Sequence, residues 1–216
     1  MSGPLVIGPD DPGVAELAHA LGGTRAVVPV VRAVPDDPGW RWSEPLEVWR
    51  SEVAGGDPAP AVVVAGPAPA LAPHPLAELT ADEWAQRAET ALAVWVAALG
   101  AGKARTADGG ALVAVLDRPA PLDSGGWAAE SGVADAVEAL VRSLARSEGP
   151  RGVRVNAVST PLRVTAPEVV DPAPPLRSFP GRLDREVAGA VRLLLAEDAA
   201  GVTGTVVHAD CGRSWR

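Results

Sequence analysis

Four residue types that carry much of enzyme chemistry are nearly missing from this chain. Lys103 is the only lysine, Asn156 the only asparagine and Cys211 the only cysteine, and there is no tyrosine. A mechanism in which a lysine charge makes a tyrosine proton labile is therefore excluded by counting. A lone thiol closes no internal disulfide, and Cys211 has no partners at metal-ligand spacing. The three histidines are scattered: His19 falls on a helix flank, His74 in a proline-rich loop and His208 in the last strand. His19 and His74 have no second histidine or acid at ligand spacing, His208 reads as a packed or hydrogen-bonded residue, and no metal is expected. The carboxylates remain, with 27 Asp and Glu against 19 Lys and Arg.

That balance, a net charge of -8, argues against a nucleic-acid partner, whose phosphates would be repelled. No apolar run approaches the length of about 20 residues that a membrane span needs. The N-terminus "MSGPLVIGPDD" enters a strand-like run without a basic region, so no export signal is read and a cytoplasmic location is expected. The 216 residues suit one domain, 1–216.

The elements that must position any site alternate. Residues 4–9 and "TRAVVPVV" read as strands around a helix with apolar positions Val14, Leu17, Ala18 and Leu21, closed at Gly22. A short helix is expected over 45–54. The continuous apolar run 61–66, "AVVVAG", suits a parallel strand covered on both faces. Thr80-Ala-Asp-Glu83 is a capping box that opens a long helix to about Gly100, with the stripe Trp84, Ala88, Ala91, Trp95 and Ala98. Strand 111–116 follows, then a helix with the stripe Val133, Val137, Leu140 and Leu144. The strand "VRVNAVS", a proline-rich loop, a helix over 184–197 and the strand "GTVVHAD" complete the chain. Strands alternating with helices mean right-handed βαβ units, hence a doubly wound parallel α/β sheet.

The order of these pieces resembles the short-chain dehydrogenase/reductase (SDR) family. The resemblance is strongest in "VEALVRSLARSEGPRGVRVNAVSTP" and "GRLDREVAGAVRLLLAEDAAGVTGTVVHADCG", which look like the family's fifth helix, sixth strand, last helix and last strand. It implies a single Rossmann-like domain with helices on both faces, shortened between the second and fourth strands. It also implies where a catalytic tetrad would lie: the tyrosine position falls on Glu130, the lysine position on Ala134, the serine position on or near Asp117, and the asparagine position on Ala91. None is kept. The family's glycine-rich phosphate loop is represented by Gly8, Pro9, Asp10, Asp11, Pro12 and Gly13, in which prolines remove N–H donors and aspartates add negative charge. Arg32 reads as a solvated loop arginine rather than a partner for a 2′-phosphate.

The resemblance then yields three ordered expectations. The first is a catalytically inactive partner of an active ketoreductase in polyketide or fatty-acyl biosynthesis, binding no cofactor. It would pair with a homologous reductase subunit, or with itself, through Trp84, Trp95, Val137, Leu140 and Leu144. The second is an enzyme for a redox-neutral dehydration, cyclisation or aldol step, with Asp117 and Glu130 as acid and base across the old cleft. The last is an NAD(P)-dependent reductase. The Trp40, Trp42 and Trp49 cluster fits either an interface anchor or core packing, and the prolines of loop 160–182 imply a stiff cover rather than a closing flap.

Overall fold

The computed structural model describes residues 3–31, 44–68, 71–119, 125–161, 182–210 and 212. Arg32, Trp40, Trp42, Cys211 and almost all of the 160–182 loop lie outside the described residues.

The strands are β1 (Leu5–Gly8), β2 (Thr24–Val27), β3 (Ala59–Ala65), β4 (Thr106–Asp117), β5 (Arg154–Thr160) and β6 (Val206–His208). All pair in parallel, in the order β2-β1-β3-β4-β5-β6. Among the described residues no strand stands between β2 and β3, in agreement with the expected shortening. The helices are α1 (Pro12–Leu21), α2 (Glu44–Ala54), α3 (Ala81–Trp84), α4 (Ala91–Arg105), α5 (Ala128–Glu148) and α6 (Ala188–Leu195).

The valine runs explain why the sheet is covered twice. Successive side chains of a strand point to opposite faces. Ile7, Val62, Val64, Leu112 and Leu116 accordingly join Leu46, Val94, Trp95 and Val137 in one core, under α2, α4 and α5. Val6, Val63, Val113, Val115 and Val158 join Val14, Leu17, Val191 and Leu194 in the other, under α1 and α6. Trp49 packs, partly buried, on the first core, so this member of the tryptophan cluster is a packing residue.

The long helix begins as expected, with Glu83 N–H donating to Thr80 Oγ1 at 3.2 Å and Thr80 N–H donating to Glu83 Oε2 at 2.8 Å. Two differences follow. A π-helical stretch, Ala85–Thr90, joins α3 to α4. Each residue advances a helix by about 100°, so the wider turn breaks the expected stripe: Trp84 is 40% exposed while Trp95 is buried. The helix also runs past Gly100 to Arg105. Gly102 permits this, because a Cβ there would stand 3.0 Å from Leu112 Cδ1 and 3.1 Å from Val64 Cγ2.

Two of the single-copy residues are structural. Asn156 Nδ2 donates to the Val202 carbonyl at 2.8 Å, and its Oδ1 accepts from Thr205 N–H at 3.1 Å, clipping β5 to the approach of β6. Lys103 Nζ lies 3.1 Å from Glu148 Oε1, tying α4 to α5.

Candidate active-site cleft

The strand order turns back at β1, with β2 on one side and β3 on the other. Crossovers leaving such a point depart on opposite faces, which opens a crevice beyond the carboxyl ends of the strands. The cleft found there runs from Pro9 and the 28–31 segment, past Gly66 and Pro67, to Asp117 and Glu130. Val94 and Trp95 of α4, Leu116 of β4 and Val133 and Ala134 of α5 form its apolar wall. Sequence reasoning places Asp117 and Glu130 on this cleft, and both line it.

What sequence reasoning misses is Arg87. It is 8% exposed in the π-helical stretch, donates from Nη1 to Glu130 Oε1 at 2.6 Å, and donates from Nη2 to the Ala72 carbonyl at 2.5 Å. The signal available was an arginine between Trp84 and Ala91 of a stripe that otherwise reads apolar. Its partner lies 43 residues away, beyond the reach of helical spacing. Glu130 thus enters the cleft as half of an ion pair. Its second oxygen, Oε2, is buried with no hydrogen-bond partner among the described residues. An unsatisfied buried acceptor costs about 1–3 kcal/mol.

Gln86 and Thr90 add polar side chains to the cleft lining, while the histidines are not part of it. His74 lies 3.8 Å from Glu78 and 3.6 Å from Glu83, so acids do come within reach of it, contrary to the reading from spacing. No group of three metal-ligating side chains occurs among the described residues. His208 Nδ1 is buried without a hydrogen-bond partner among the described residues.

Of the five residues expected at an interface, Trp95 (5% exposed) and Val137 (0%) are packed inside the chain's own core. Leu140 and Leu144 lie partly buried against that core, and Trp84 alone is broadly exposed.

The family's dinucleotide can be tested against the crevice. Gly8 ends β1 where a Cβ would meet the Ala65 carbonyl oxygen at 2.7 Å and Val14 Cγ1 at 2.8 Å, so strand, turn and helix approach as closely as a phosphate loop requires. The N-terminus of α1 carries the positive end of the helix dipole. The path and the apolar walls therefore fit a dinucleotide. One group opposes it: Asp11 Oδ1 accepts from Gly13 N–H at 2.7 Å and caps the helix with a carboxylate, while Pro12 supplies no N–H. Asp10 is turned aside, 3.4 Å from Arg25 Nη2.

Comparison with known proteins defines the class. The enoyl-(acyl carrier protein) reductase family matches residues 59–214, and the chain belongs to this family of short-chain dehydrogenase/reductases. An NADH enoyl-[acyl-carrier-protein] reductase of Rickettsia bellii is 38% identical over 86 residues, 36% of this chain and 33% of that protein, so the match spans about a third of the relative. A short-chain dehydrogenase/reductase of Serratia marcescens shares the fold with a TM-score of 0.67 at 21% identity, over 98% of this chain and 97% of that one. An enoyl-(acyl-carrier-protein) reductase of Anaplasma phagocytophilum, solved in complex with NAD, gives 0.66 at 20% identity over 97% and 92%.

These findings correct two expectations. The expectations of an inactive, non-catalytic partner, or failing that of a redox-neutral enzyme, and of no bound cofactor do not agree with them. Its family is one of reductases, the Rickettsia relative is an NADH enzyme and the Anaplasma structure holds NAD. Pro9, Asp10, Asp11 and Pro12 do not decide against a cofactor, because Gly8 and the strand order keep the crevice in which those relatives hold theirs.

Proposed function

We propose that this protein is an NAD(P)-dependent reductase of the short-chain type. The observation that carries the reading is the position of the cleft. It opens at the strand-order reversal of a parallel sheet and leads from the β1–α1 turn to Glu130, in a chain that belongs to a reductase family. The dinucleotide would lie over Gly8 and the N-terminus of α1, beside the 28–31 segment, and when bound it supplies or accepts a hydride.

The chain's own residues do the rest. Val94, Trp95, Leu116 and Val133 keep water from the reacting atoms. With no tyrosine in the chain, the titratable groups that line the substrate end are Asp117 and Glu130. Either carboxyl can hold or pass a proton there. Arg87 fixes Glu130 in orientation through the 2.6 Å bond. The reading places the enzyme in the cytoplasm, with Trp84, Leu140 and Leu144 as the surface on which it pairs with itself or a related subunit.

The test is direct. Purified protein should quench its tryptophan fluorescence saturably on addition of NADH or NADPH, and should oxidise one of them with 2-enoyl or 3-oxoacyl thioesters. Absence of binding by either dinucleotide rejects the reading.

A further inference from the structure

The two ends of the cleft differ in what their side chains can bind. The polar side chains of the lining, Gln86, Arg87, Thr90, Asp117 and Glu130, stand at the substrate end. At the other end the lining is Pro9 with Val28, Pro29, Val30 and Val31, none of whose side chains donates or accepts a hydrogen bond. The adenosine half of a dinucleotide would lie here. A dinucleotide fold that takes the unphosphorylated ribose holds its 2′-hydroxyl on an Asp or Glu about twenty residues beyond the glycines of the first turn, and the residue at that distance from Gly8 is Val28. No carboxylate of the 28–31 segment selects the hydroxyl or repels a phosphate in its place.

The turn beside this end carries a cation. Arg25 of β2 lies in register with Val6, whose side chain belongs to the core under α1, so the arginine leaves the sheet on that side. Its guanidinium reaches the β1–α1 turn, where Nη2 donates to the Pro9 carbonyl at 2.9 Å. Pro9 lines the cleft, which puts the guanidinium directly behind the lining. Asp10 holds it loosely, with an oxygen 3.4 Å from the same Nη2 and a side chain 84% exposed. Both contacts are made by Nη2, so neither draws on Nε or Nη1. Two carboxylates oppose a phosphate at this place. Asp11 is committed to the Gly13 N–H, and the repulsion from Asp10 acts through water and salt that screen it. Two parallel N–H···O bonds from a guanidinium to a phosphate outweigh that.

We infer that Arg25 exchanges Asp10 for the 2′-phosphate of an adenine nucleotide, so that this protein selects NADPH over NADH. The inference rests on the reductase reading for the presence of a dinucleotide in the crevice, and it names which one. The fold does not make that choice; the side chains at this end of the cleft do.

The experiment is isothermal titration calorimetry on the full chain with adenosine 2′,5′-bisphosphate, adenosine 3′,5′-bisphosphate and 5′-AMP, followed by NADPH and NADH. The expected result is that the 2′,5′-bisphosphate binds about tenfold more tightly than 5′-AMP, and NADPH about tenfold more tightly than NADH, the gain of one charge-assisted bidentate contact. The 3′,5′-bisphosphate should gain no more than about twofold over 5′-AMP, as expected of charge without a matched site. In Arg25→Gln the 2′-phosphate preference should fall to within about twofold, while Arg25→Lys, which keeps the charge but not the fork, should retain about threefold. Equal binding of the 2′,5′-bisphosphate and 5′-AMP by the native protein overturns the inference. An equal gain from the 2′- and 3′-phosphates overturns it too, and so does a preference that survives Arg25→Gln undiminished.

The comparison on the native protein needs no variant, so an Arg25→Gln chain that fails to fold leaves the inference testable. The two readings fail separately. Binding of NADH and NADPH with equal constants sinks this inference alone, and a preference for the 2′,5′-bisphosphate without binding of either dinucleotide sinks the reductase reading alone. A protein that binds none of these nucleotides sinks both.

Discussion

Arg87 Nη1 stands 2.6 Å from Glu130 Oε1, and this bond joins the π-helical stretch before α4 to the first turn of α5 across the side of the cleft. With side chains only 8% and 17% exposed, the pair is largely desolvated. Breaking one side of such a pair leaves a charge without compensation, at a cost of about 3–5 kcal/mol. Arg87→Met should therefore lower the free energy of urea unfolding by about that much. Arg87→Met combined with Glu130→Leu should recover most of it, since no lone charge remains. Equal losses in the single and double variants would show that Arg87 matters only through its contact with the Ala72 carbonyl.

Asp11 sets the electrostatics at the other end of the cleft. Its carboxylate sits on the Gly13 N–H at the start of α1, where the dinucleotide's negative charge would lie. Asp11→Asn keeps an oxygen that can cap the helix but removes the charge. NADH and NADPH should bind about three- to tenfold more tightly, the effect of one charge at a helix terminus. Asp11→Ala should also relieve the repulsion while costing α1 about 1 kcal/mol of stability through the lost cap. Dinucleotide titrations at low and high salt check this, because added salt should narrow the gap between native and Asp11→Asn.

The contrast between these residues and the sheet shows what the sequence carries. Val62, Val63 and Val64 announce a strand buried on both faces because local alternation and burial coincide there. Thr80 and Glu83 announce a helix start because both partners of the capping box lie within one turn. A doubly wound parallel sheet follows from such local signals, while the position of the cleft comes from the family resemblance that sets Asp117 and Glu130 across it. The contacts within the site follow from neither. Arg87 and Glu130 meet only through tertiary packing, and the π-helical stretch that breaks the stripe after Trp84 has no compositional signature. The functional expectation fails for another reason: a missing tyrosine and missing glycines point to lost chemistry, although the crevice is made by backbone topology that survives their loss.

Gly8 tests that topology. A Cβ at this position would come within 2.7 Å of the Ala65 carbonyl oxygen and 2.8 Å of Val14 Cγ1, and the first of these is backbone that cannot rotate away. Gly8→Ala should destabilise the fold by about 1–3 kcal/mol through overpacking. It should also weaken dinucleotide binding by pushing β1 off β3 beneath the crevice. Thermal unfolding and NADH titration together check this. A variant of native stability and native affinity would mean that β1 and α1 are looser than their contacts indicate.

Glu148 supplies the pH dependence. Its side chain is only 4% exposed at the C-terminal end of α5, 2.9 Å from Arg151 Nη1 and 3.1 Å from Lys103 Nζ. Burial alone would raise its pKa, but hydrogen bonds from Arg151, Lys103 and Ser147 outweigh it and hold the carboxyl below its ordinary value of 4.5. A depressed folded-state pKa means that the unfolded chain takes up the proton first. The stabilisation is therefore present in full above the unfolded value near 4.5 and is lost as pH falls through the lower folded one. Glu148→Gln should be less stable than the native protein at neutral pH, by about 1–2 kcal/mol given that Lys103 and Arg151 remain partly solvated. The difference should shrink as unfolding is measured at successively lower pH below 4.5. A gap between the two proteins that stays constant from pH 7 into that acid range would mean that Glu148 contributes through packing and not through its charge.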